Sequence, residues 1–412
     1  MKKKIFVRGP VLSQSGYGEQ SRFALRALRS KEDRFDIYIQ PIPWGKTGWT
    51  WERDEFREWV DSRIEHTQAL IQNKQFQADI SLQITIPNEF KKYCPVNIAY
   101  TAGMETNKVS PVWLQYGNEM DKILVVSNHA KETYVNTVAQ ATNQQTGETS
   151  AYKLETPVEV VHETTPRPSP EDINELQLDY DFNFLMVSQF GPRKNFENSV
   201  TWWVEEFLDE EVGLVIKANF VNNSIIDFQY TEAALKNIIN KYPDRKCKVY
   251  LLHGDCSSSQ MVGLYTNPKI KALVNISHGE GFGLPIFEAA REGLPVVTVG
   301  WSGQMDFMTV NGESKFAEVD YTLGPVPNTA VWQNVVDKDM LWAYADQGSY
   351  KISLKRIHKK YDRYKTMALE LQQNIEENFN DEKLYENFCN QIYNPSEEEK
   401  EWMQELSKIE VL

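Results

Sequence analysis

The sequence predicts an α/β protein made of two Rossmann-like domains, each with a parallel sheet that helices cover on both faces. Short apolar segments alternate with segments of helical periodicity along most of the chain, which is typical of parallel strands joined by crossover helices. The length of 412 residues fits two domains of ordinary size. Two such sheets facing each other enclose a cleft, and ligands of these sheets bind beyond the carboxyl ends of the strands.

The composition limits the classes of function. Hydrophobic residues make up 41% of the chain and aromatic residues 12%, as in proteins with buried cores. The net charge of −14 argues against a surface that binds nucleic acid or anionic lipid along its whole length. The 4 cysteines lack C-x-x-C spacing and the 6 histidines lack ligand spacing, so we expect neither a disulfide framework nor a metal site.

The start of the chain is basic but contains too few apolar residues for a signal peptide. No apolar run is long enough for a transmembrane helix. We therefore expect a cytoplasmic protein.

The first half of the chain contains short apolar segments that predict strands. They cover residues 4–7, 35–40, 80–86, 97–101, 122–126 and 158–161. Helices are predicted at 19–28 and 112–118. Between the first strand and the first helix, residues 12–18 form a glycine loop that contains Gly16 and Gly18. This order is typical of a turn that faces a phosphate, although a tight turn without a ligand explains it equally well.

Four tryptophans fall within sixteen positions of a predicted loop, and two glycines interrupt them. They are Trp44, Trp49, Trp51 and Trp59. One interpretation is a loop that binds an acceptor by stacking on aromatic faces. The other, slightly favoured, is a lid that packs on its own domain.

The second half alternates regularly. Strands are predicted at 183–188, 213–217, 248–252, 272–276 and 295–299, with helices at 196–208, 231–240, 258–265 and 284–292 and a long helix at 351–379. The proline-rich residues 164–170 predict a hinge. The expected organisation is therefore a first domain at 1–165, a second at 170–380, and helices at 381–412.

The most informative segment is residues 277–290, SHGEGFGLPIFEAA. A strand leads into a glycine loop, and Pro285 suits the first turn of the helix that follows. The loop and the helix start offer backbone N–H groups to an anion such as a phosphate. These groups belong to Gly281, Phe282, Gly283 and Leu284.

Two carboxylates, Glu280 and Glu288, bracket this anion site. A carboxylate beside an anion is unfavourable unless it bonds hydroxyl groups, and sugar and ribose hydroxyls are suitable donors. Arg193 and Lys194 follow the strand at 183–188, and adjacent cations at a helix entrance repel each other unless an anion lies there. A diphosphate satisfies this requirement. Two alternatives remain, a solvated basic pair and glycines that serve only tight packing.

The motif G-E-G-F-G-L-P-x-x-E-A resembles the signature of retaining glycosyltransferases of the GT-B fold, family 4. The resemblance implies a nucleotide-diphosphate sugar as donor and no metal cofactor. It also implies that the helices at 381–412 pack back on the first domain. It implies that Glu280 contacts the transferred sugar and Glu288 the nucleotide ribose. It also implies that Lys194 grips the diphosphate and that the loop with Gly16 and Gly18 faces the donor. Where the family has an Arg, this chain has Gln189, and we expect Arg193 to substitute for it.

The chain departs from the family at Gly103, where many members have a His that contacts the transferred sugar. Glu105 and Asn107 are the nearest polar candidates. Glu105 is the candidate to orient or deprotonate an acceptor hydroxyl, although helix capping or an ion pair explains it as well.

The leading hypothesis is thus a retaining, metal-independent glycosyltransferase for hexosyl or pentosyl transfer. The acceptor is a glycan, a lipid, a protein or a modified nucleic-acid base. Two alternatives are a sugar-nucleotide epimerase or hydrolase on the same fold, for which Glu105 and His129 are the acid–base candidates, and a non-catalytic sugar-binding module.

Overall fold

A computed structural model describes residues 2–142, 145–174, 176–396 and 399. Within these residues each half of the chain forms a six-stranded sheet whose strands are all parallel. The predicted α/β class with two parallel sheets is confirmed. Among the described residues, every helix is too short or too polar to cross a bilayer.

The N-terminal sheet has strands on both sides of its first strand. The strands of this half are β1 (Lys3–Gly9), β2 (Phe35–Pro41), β3 (Ile80–Ile84), β4 (Val96–Thr101), β5 (Lys122–Val125), β6 (Ala139–Thr142), β7 (Thr149–Tyr152) and β8 (Val158–Val160). The sheet order is β2-β1-β3-β4-β5-β8, while β6 and β7 pair as an antiparallel hairpin. The helices are α1 (Gly16–Arg29), α2 (Glu55–Gln72), α3 (Pro111–Gly117) and α4 (Asn128–Asn136).

The C-terminal sheet repeats this arrangement. Its half of the chain contains β9 (Asn183–Gln189), β10 (Gly213–Asn219), β11 (Lys248–Leu252), β12 (Ile270–Asn275), β13 (Val296–Val299), β14 (Thr309–Val310), β15 (Glu313–Ser314), β16 (Ala317–Val319), β17 (Tyr321–Pro325) and β18 (Leu341–Ala345). The sheet order is β11-β10-β9-β12-β13-β16. The helices are α5 (Phe196–Glu206), α6 (Ile225–Ile239), α7 (Ser258–Thr266), α8 (Leu284–Arg291), α9 (Met305–Met308), α10 (Gln347–Lys359), α11 (Tyr361–Asn378) and α12 (Asp381–Ile392).

Several boundaries differ from the sequence-based prediction. Helix α1 begins at Gly16, because the Ser15 hydroxyl caps it by accepting a hydrogen bond from the Gly18 amide at 3.0 Å. Gly16 and Gly18 therefore lie in the first helical turn and not in a loop. Helix α2 was not predicted, since few of its side chains are buried and its periodicity is weak. The predicted helix at 351–379 is interrupted at Lys360.

The chain returns to the N-terminal domain through α12, which packs against α1. The Arg34 guanidinium donates to the Glu386 carboxylate at 3.2 Å and to the Tyr393 carbonyl at 2.6 Å. The Phe388 ring is buried and packs on Phe23 at a centroid distance of 5.6 Å. These contacts hold α12 on the first domain. Of the predicted helices at 381–412, the part beyond residue 396 lies outside the described residues, apart from Glu399.

Candidate active site

A cavity of about 890 Å³ lies between the two domains. Its walls include the residues that follow β1 in the first sheet and β9, β10 and β12 in the second. In each sheet the strand order reverses at the first strand. The chain first adds strands on one side of β1 or β9 and then crosses to add strands on the other side. Such switch points at the carboxyl ends of strands are the places where open α/β sheets bind ligands.

The segment 277–290 forms the turn between β12 and α8, as the sequence predicts. Gly283 caps the helix with a positive φ of 93°, which suits glycine. Gly279 and Gly281 instead allow close approach of the other domain. A Cβ atom would lie 2.3 Å from the Glu105 carbonyl at Gly279 and 2.0 Å from the Ala102 carbonyl at Gly281. Tight packing between the domains therefore explains these two glycines.

Glu280 is buried and bonded through both carboxylate oxygens. Oε1 accepts hydrogen bonds from Lys194 Nζ at 2.6 Å and Ser277 Oγ at 2.8 Å, and Oε2 accepts one from Arg193 Nη1 at 3.1 Å. Burial by itself would raise the pKa of this carboxyl, but the two neighbouring cations outweigh it and lower the pKa to about 2. Glu280 is therefore ionised throughout the neutral range.

Arg193 links the two domains. Its Nη2 lies 3.4 Å from Glu105 Oε1 on the N-terminal side, and its Nη1 donates to the Gly279 carbonyl at 2.6 Å. Burial and the adjacent Arg193 charge lower the pKa of Lys194. The structure thus brings Arg193, Lys194, Glu105 and Glu280 into one cluster in which two cations face two carboxylates. The basic pair is not simply solvated, since both cations have carboxylate partners inside the cleft.

Glu288 lies further along α8 and also lines the cavity. Its Oε1 accepts a hydrogen bond from the Thr165 hydroxyl at 2.9 Å, and its Oε2 accepts one from the Tyr265 hydroxyl at 2.8 Å. Burial raises the pKa of this carboxyl, against the opposing effect of these hydrogen bonds and of Arg291. The side chain therefore already serves as an acceptor for two hydroxyl groups.

Other predicted residues divide into those that face the cavity and those that do not. Gly16 and Leu284 line it, whereas Gly18 packs on the Ser13 carbonyl and is not part of the wall. Phe282 contributes to the wall, but its ring is buried against other aromatic rings, Phe287 at 5.3 Å and Phe307 at 5.0 Å between centroids.

Gly103, where many members of the resembled family have a His, lies next to Tyr17. A Cβ atom at Gly103 would lie 3.0 Å from the Tyr17 hydroxyl. That hydroxyl shares a hydrogen bond with Thr101 Oγ1 at 2.8 Å, and the Tyr17 ring contacts Trp44 at a centroid distance of 4.2 Å. A larger side chain at Gly103 would therefore have to displace Tyr17. Sequence reasoning missed Tyr17, since no local pattern marks it.

The tryptophans separate into different environments. Trp44 lines the cavity, whereas Trp59 donates from Nε1 to Glu32 at 3.0 Å within its own domain. Trp49 and Trp51 are 60% and 57% exposed. Neither the acceptor-binding loop nor the lid therefore describes all four tryptophans. His129 lies outside the cavity wall, where its Nε2 is 3.1 Å from the Thr106 carbonyl.

Asp227, which the sequence did not single out, shapes the wall beyond β10. Its carboxylate accepts hydrogen bonds from the amides of Phe220, Val221 and Asn222 at 2.7–3.1 Å. It also bonds His253 Nε2 at 2.9 Å. Burial opposes ionisation, but these bonds lower the pKa of Asp227 to about 2. The ionised side chain therefore holds the loop that carries Asn222 to the cavity.

Glu163 is a second residue that sequence reasoning missed. It follows β8, is 4% exposed and lines the cavity. Burial, together with the negative charge of Glu19, raises the pKa of Glu163 from 4.5 to about 8. The folded protein therefore keeps this carboxyl protonated at neutral pH, whereas the unfolded chain ionises it.

This pKa difference predicts a pH-dependent effect of Glu163→Gln on stability. Because the folded pKa is raised, the wild type loses stability as the pH rises from about 4.5 to about 8. The Gln variant has no such loss, so we expect it to be more stable than the wild type at pH 9, by on the order of 1 to 5 kcal/mol. At pH 4 the advantage should vanish. Denaturant unfolding at both pH values checks this.

Glu159→Gln is the matched control, because Glu159 lies on β8, four residues before Glu163, but its side chain is 43% exposed and pairs with Lys131. Its stability relative to the wild type should change little between pH 4 and pH 9. An advantage of Glu163→Gln that is equal at the two pH values would contradict the assigned protonation state.

Comparisons with known proteins identify the fold. No protein-family model matches the chain, and no curated protein matches its sequence. Among solved structures, sucrose-phosphate synthase from Thermosynechococcus elongatus matches with a TM-score of 0.60, at 12% identity over 99% of this chain and 100% of that one.

Two other structures match over similar lengths. HepE from Anabaena, in complex with UDP and glucose, has a TM-score of 0.57 at 12% identity and covers 94% of this chain and 99% of its own. The lipopolysaccharide outer core galactosyltransferase WaaB has a TM-score of 0.52 at 15% identity, over 95% and 99%. The chain has the GT-B fold, as the sequence motif predicted.

Proposed function

We propose that the protein is a glycosyltransferase that moves a sugar from a nucleoside-diphosphate sugar to an acceptor hydroxyl. The observation that carries the proposal is the set of Arg193, Lys194, Glu280 and Glu288 around one cavity between the domains. Two of the structures with this fold support it, since one contains UDP and glucose and another is a galactosyltransferase.

The donor diphosphate binds beside Arg193 and Lys194, at the N-terminus of α8. The start of a helix offers backbone N–H groups and the positive end of the helix dipole, and both favour an anion at this position. The diphosphate displaces part of the contact that the two cations make with Glu280. As the leaving group departs it gains negative charge, which the preorganised cations stabilise. The same two cations supply the charge that a metal ion supplies in other transferases, so we propose a metal-independent reaction.

The two carboxylates bind the polyol parts of the donor. Glu280 accepts a hydrogen bond from a hydroxyl of the transferred sugar, and Glu288 accepts hydrogen bonds from the nucleotide ribose in place of those from Thr165 and Tyr265. The resemblance of the motif supports both roles, and the present hydroxyl partners of Glu288 support the second.

We propose that transfer retains the anomeric configuration. The acceptor oxygen bonds to the anomeric carbon on the face from which the diphosphate leaves. The bond from that carbon to the phosphate oxygen breaks, and the acceptor proton passes to the leaving phosphate. Glu105, across the cleft and beside Arg193, orients the acceptor hydroxyl. The resemblance of the motif to retaining enzymes supports this stereochemistry.

A thermal-shift screen against UDP, GDP, ADP, CDP and dTDP tests the proposal. We expect one nucleotide to raise the melting temperature, since a ligand at 100 times its Kd stabilises by about 2.7 kcal/mol. Addition of EDTA should leave this shift in place. If none of the five nucleotides stabilises the protein, the proposed function is wrong.

Product analysis with the matching nucleotide sugar then separates the alternatives. Transfer to an acceptor, with NMR showing the same anomeric configuration in donor and product, supports the proposal. Conversion of the donor alone into another sugar nucleotide would identify an epimerase, and nucleotide binding without any turnover would identify a binding module. The position of His129 outside the cavity wall argues against the epimerase.

A further inference from the structure

Glu163 contributes a carboxyl to the cavity that the proposed reaction does not use. The side chain lies at the carboxyl edge of the N-terminal sheet, just beyond β8. Among the described residues, its Oε2 is buried and has no hydrogen-bond partner. Buried polar atoms in proteins are nearly always paired, so an unpaired one on a residue that lines a cavity requires an explanation, and a hydrogen bond to a ligand supplies one.

The position of Glu163 relative to Glu288 indicates which part of a ligand it meets. Thr165, two residues further along the chain, donates its hydroxyl to Glu288. Residues two apart are separated by at most about 7 Å between Cα atoms. The negative charge of Glu19 also acts on both carboxyls and raises the pKa of each. Glu163 therefore belongs to the chain segment that contacts Glu288, and the two carboxyls come from opposite domains.

The protonation state of Glu163 suits a cavity that receives a diphosphate. Burial first, and the Glu19 charge second, raise the pKa of Glu163 to about 8. A protonated carboxyl has one O–H donor and further acceptor capacity. It can therefore bond a hydroxyl group without adding a negative charge near the diphosphate.

We propose that Glu163 binds the ribose of the donor, where it hydrogen-bonds one hydroxyl of the vicinal diol while Glu288 bonds the other. This inference rests on the proposed function, because the proposed role of Glu288 places the ribose. The ribose then joins the two domains, and the site selects nucleotides with an intact diol.

The test is calorimetric binding of UDP, 2′-deoxy-UDP and 3′-deoxy-UDP, or the same three forms of the base that the screen selects. We expect the wild type to bind each deoxy analogue about tenfold or more weakly, because a buried polar group is left unpaired. Glu163→Ala should lose this discrimination at one of the two hydroxyls. Glu159→Ala, four residues earlier on β8 and paired with Lys131 outside the cavity, should keep both discriminations.

Glu163→Gln supplies a second readout, because the amide fills the same space and keeps a donor and an acceptor. At pH 7 it should bind UDP within about threefold of the wild type. Above pH 8, UDP affinity should fall for the wild type as Glu163 ionises, but not for the Gln variant. The other charged or titratable groups near this carboxyl are Glu19 with Arg22, Tyr100, and Glu288 with Arg291, and they are common to both proteins.

The outcomes separate this inference from the proposed function. If the wild type binds UDP but Glu163→Ala keeps both discriminations, the role of Glu163 is wrong and the transferase proposal stands. The same holds if the wild type and the Gln variant show the same pH profile. If no nucleoside diphosphate binds the wild type, both proposals fall together.

Discussion

Glu280→Gln is expected to slow sugar transfer severely while making the protein bind UDP more tightly. The substitution keeps the size of the side chain but removes the negative charge that Arg193 and Lys194 now share. In the wild type, Glu105 and Glu280 balance the two cations, whereas in the variant one positive charge remains in excess. Because the cleft has a lower effective dielectric than water, we expect UDP affinity to rise by about tenfold.

Transfer itself should fall by about 10²–10³-fold, since the variant loses the ionised contact to the transferred sugar. The variant without ligand should also be less stable, because removal of one partner from a buried ion pair costs about 3–5 kcal/mol. UDP should restore part of this loss. Thermal melts with and without UDP, calorimetry and a transfer assay measure the three effects.

Glu206→Gln is the matched control, because Glu206 is another largely buried carboxylate, paired with Lys355 outside the cavity. It should lower stability and leave both UDP affinity and transfer unchanged. Wild-type turnover by Glu280→Gln, or weaker UDP binding, would contradict the proposed arrangement of the donor.

Lys194→Ala is expected to reduce transfer by about 10²–10³-fold, with a smaller loss of stability than Glu280→Gln causes. The ammonium group stabilises the charge that develops on the leaving diphosphate, and loss of one such group typically has an effect of this size. The fold should persist, because Glu280 keeps Arg193 and the Ser277 hydroxyl as partners. UDP affinity should fall as well. Steady-state kinetics and thermal melts measure these quantities.

Lys241→Ala removes an exposed lysine that lies outside the cavity, 3.7 Å from Glu197. Its kinetics should equal those of the wild type. If Lys194→Ala and Lys241→Ala have the same kcat and KM, the diphosphate does not bind at the basic pair.

Much of the fold could be predicted from the sequence, and the exceptions have identifiable causes. The predicted strand segments all contain or overlap observed strands of the two sheets, because buried parallel strands are short, apolar and bounded by turn residues. Helix α2 escaped prediction because only Val60 and Thr67 are buried on it. The first turn of α1 was placed in a loop because glycine signals a turn more strongly than the Ser15 cap signals a helix.

The candidate site was only partly predictable. The segment 277–290 and the basic pair are local patterns, so the sequence located them. No local sequence pattern marks Glu163. Its burial, and the lack of a hydrogen-bond partner for its Oε2 among the described residues, depend on how the sheet edge meets the second domain. Thr165 and Tyr265 likewise reach Glu288 only in the folded chain.

By itself, the sequence determined the two-sheet architecture and the strand–loop–helix turn that carries Glu280 and Glu288. Both arise from interactions over a few residues, which periodicity and glycine positions encode. Only the tertiary structure decided that Arg193 contacts Glu280, 87 residues away, and Glu105 in the other domain. The energy of a charge pair depends on its distance and its burial, and these are set when the two domains pack together.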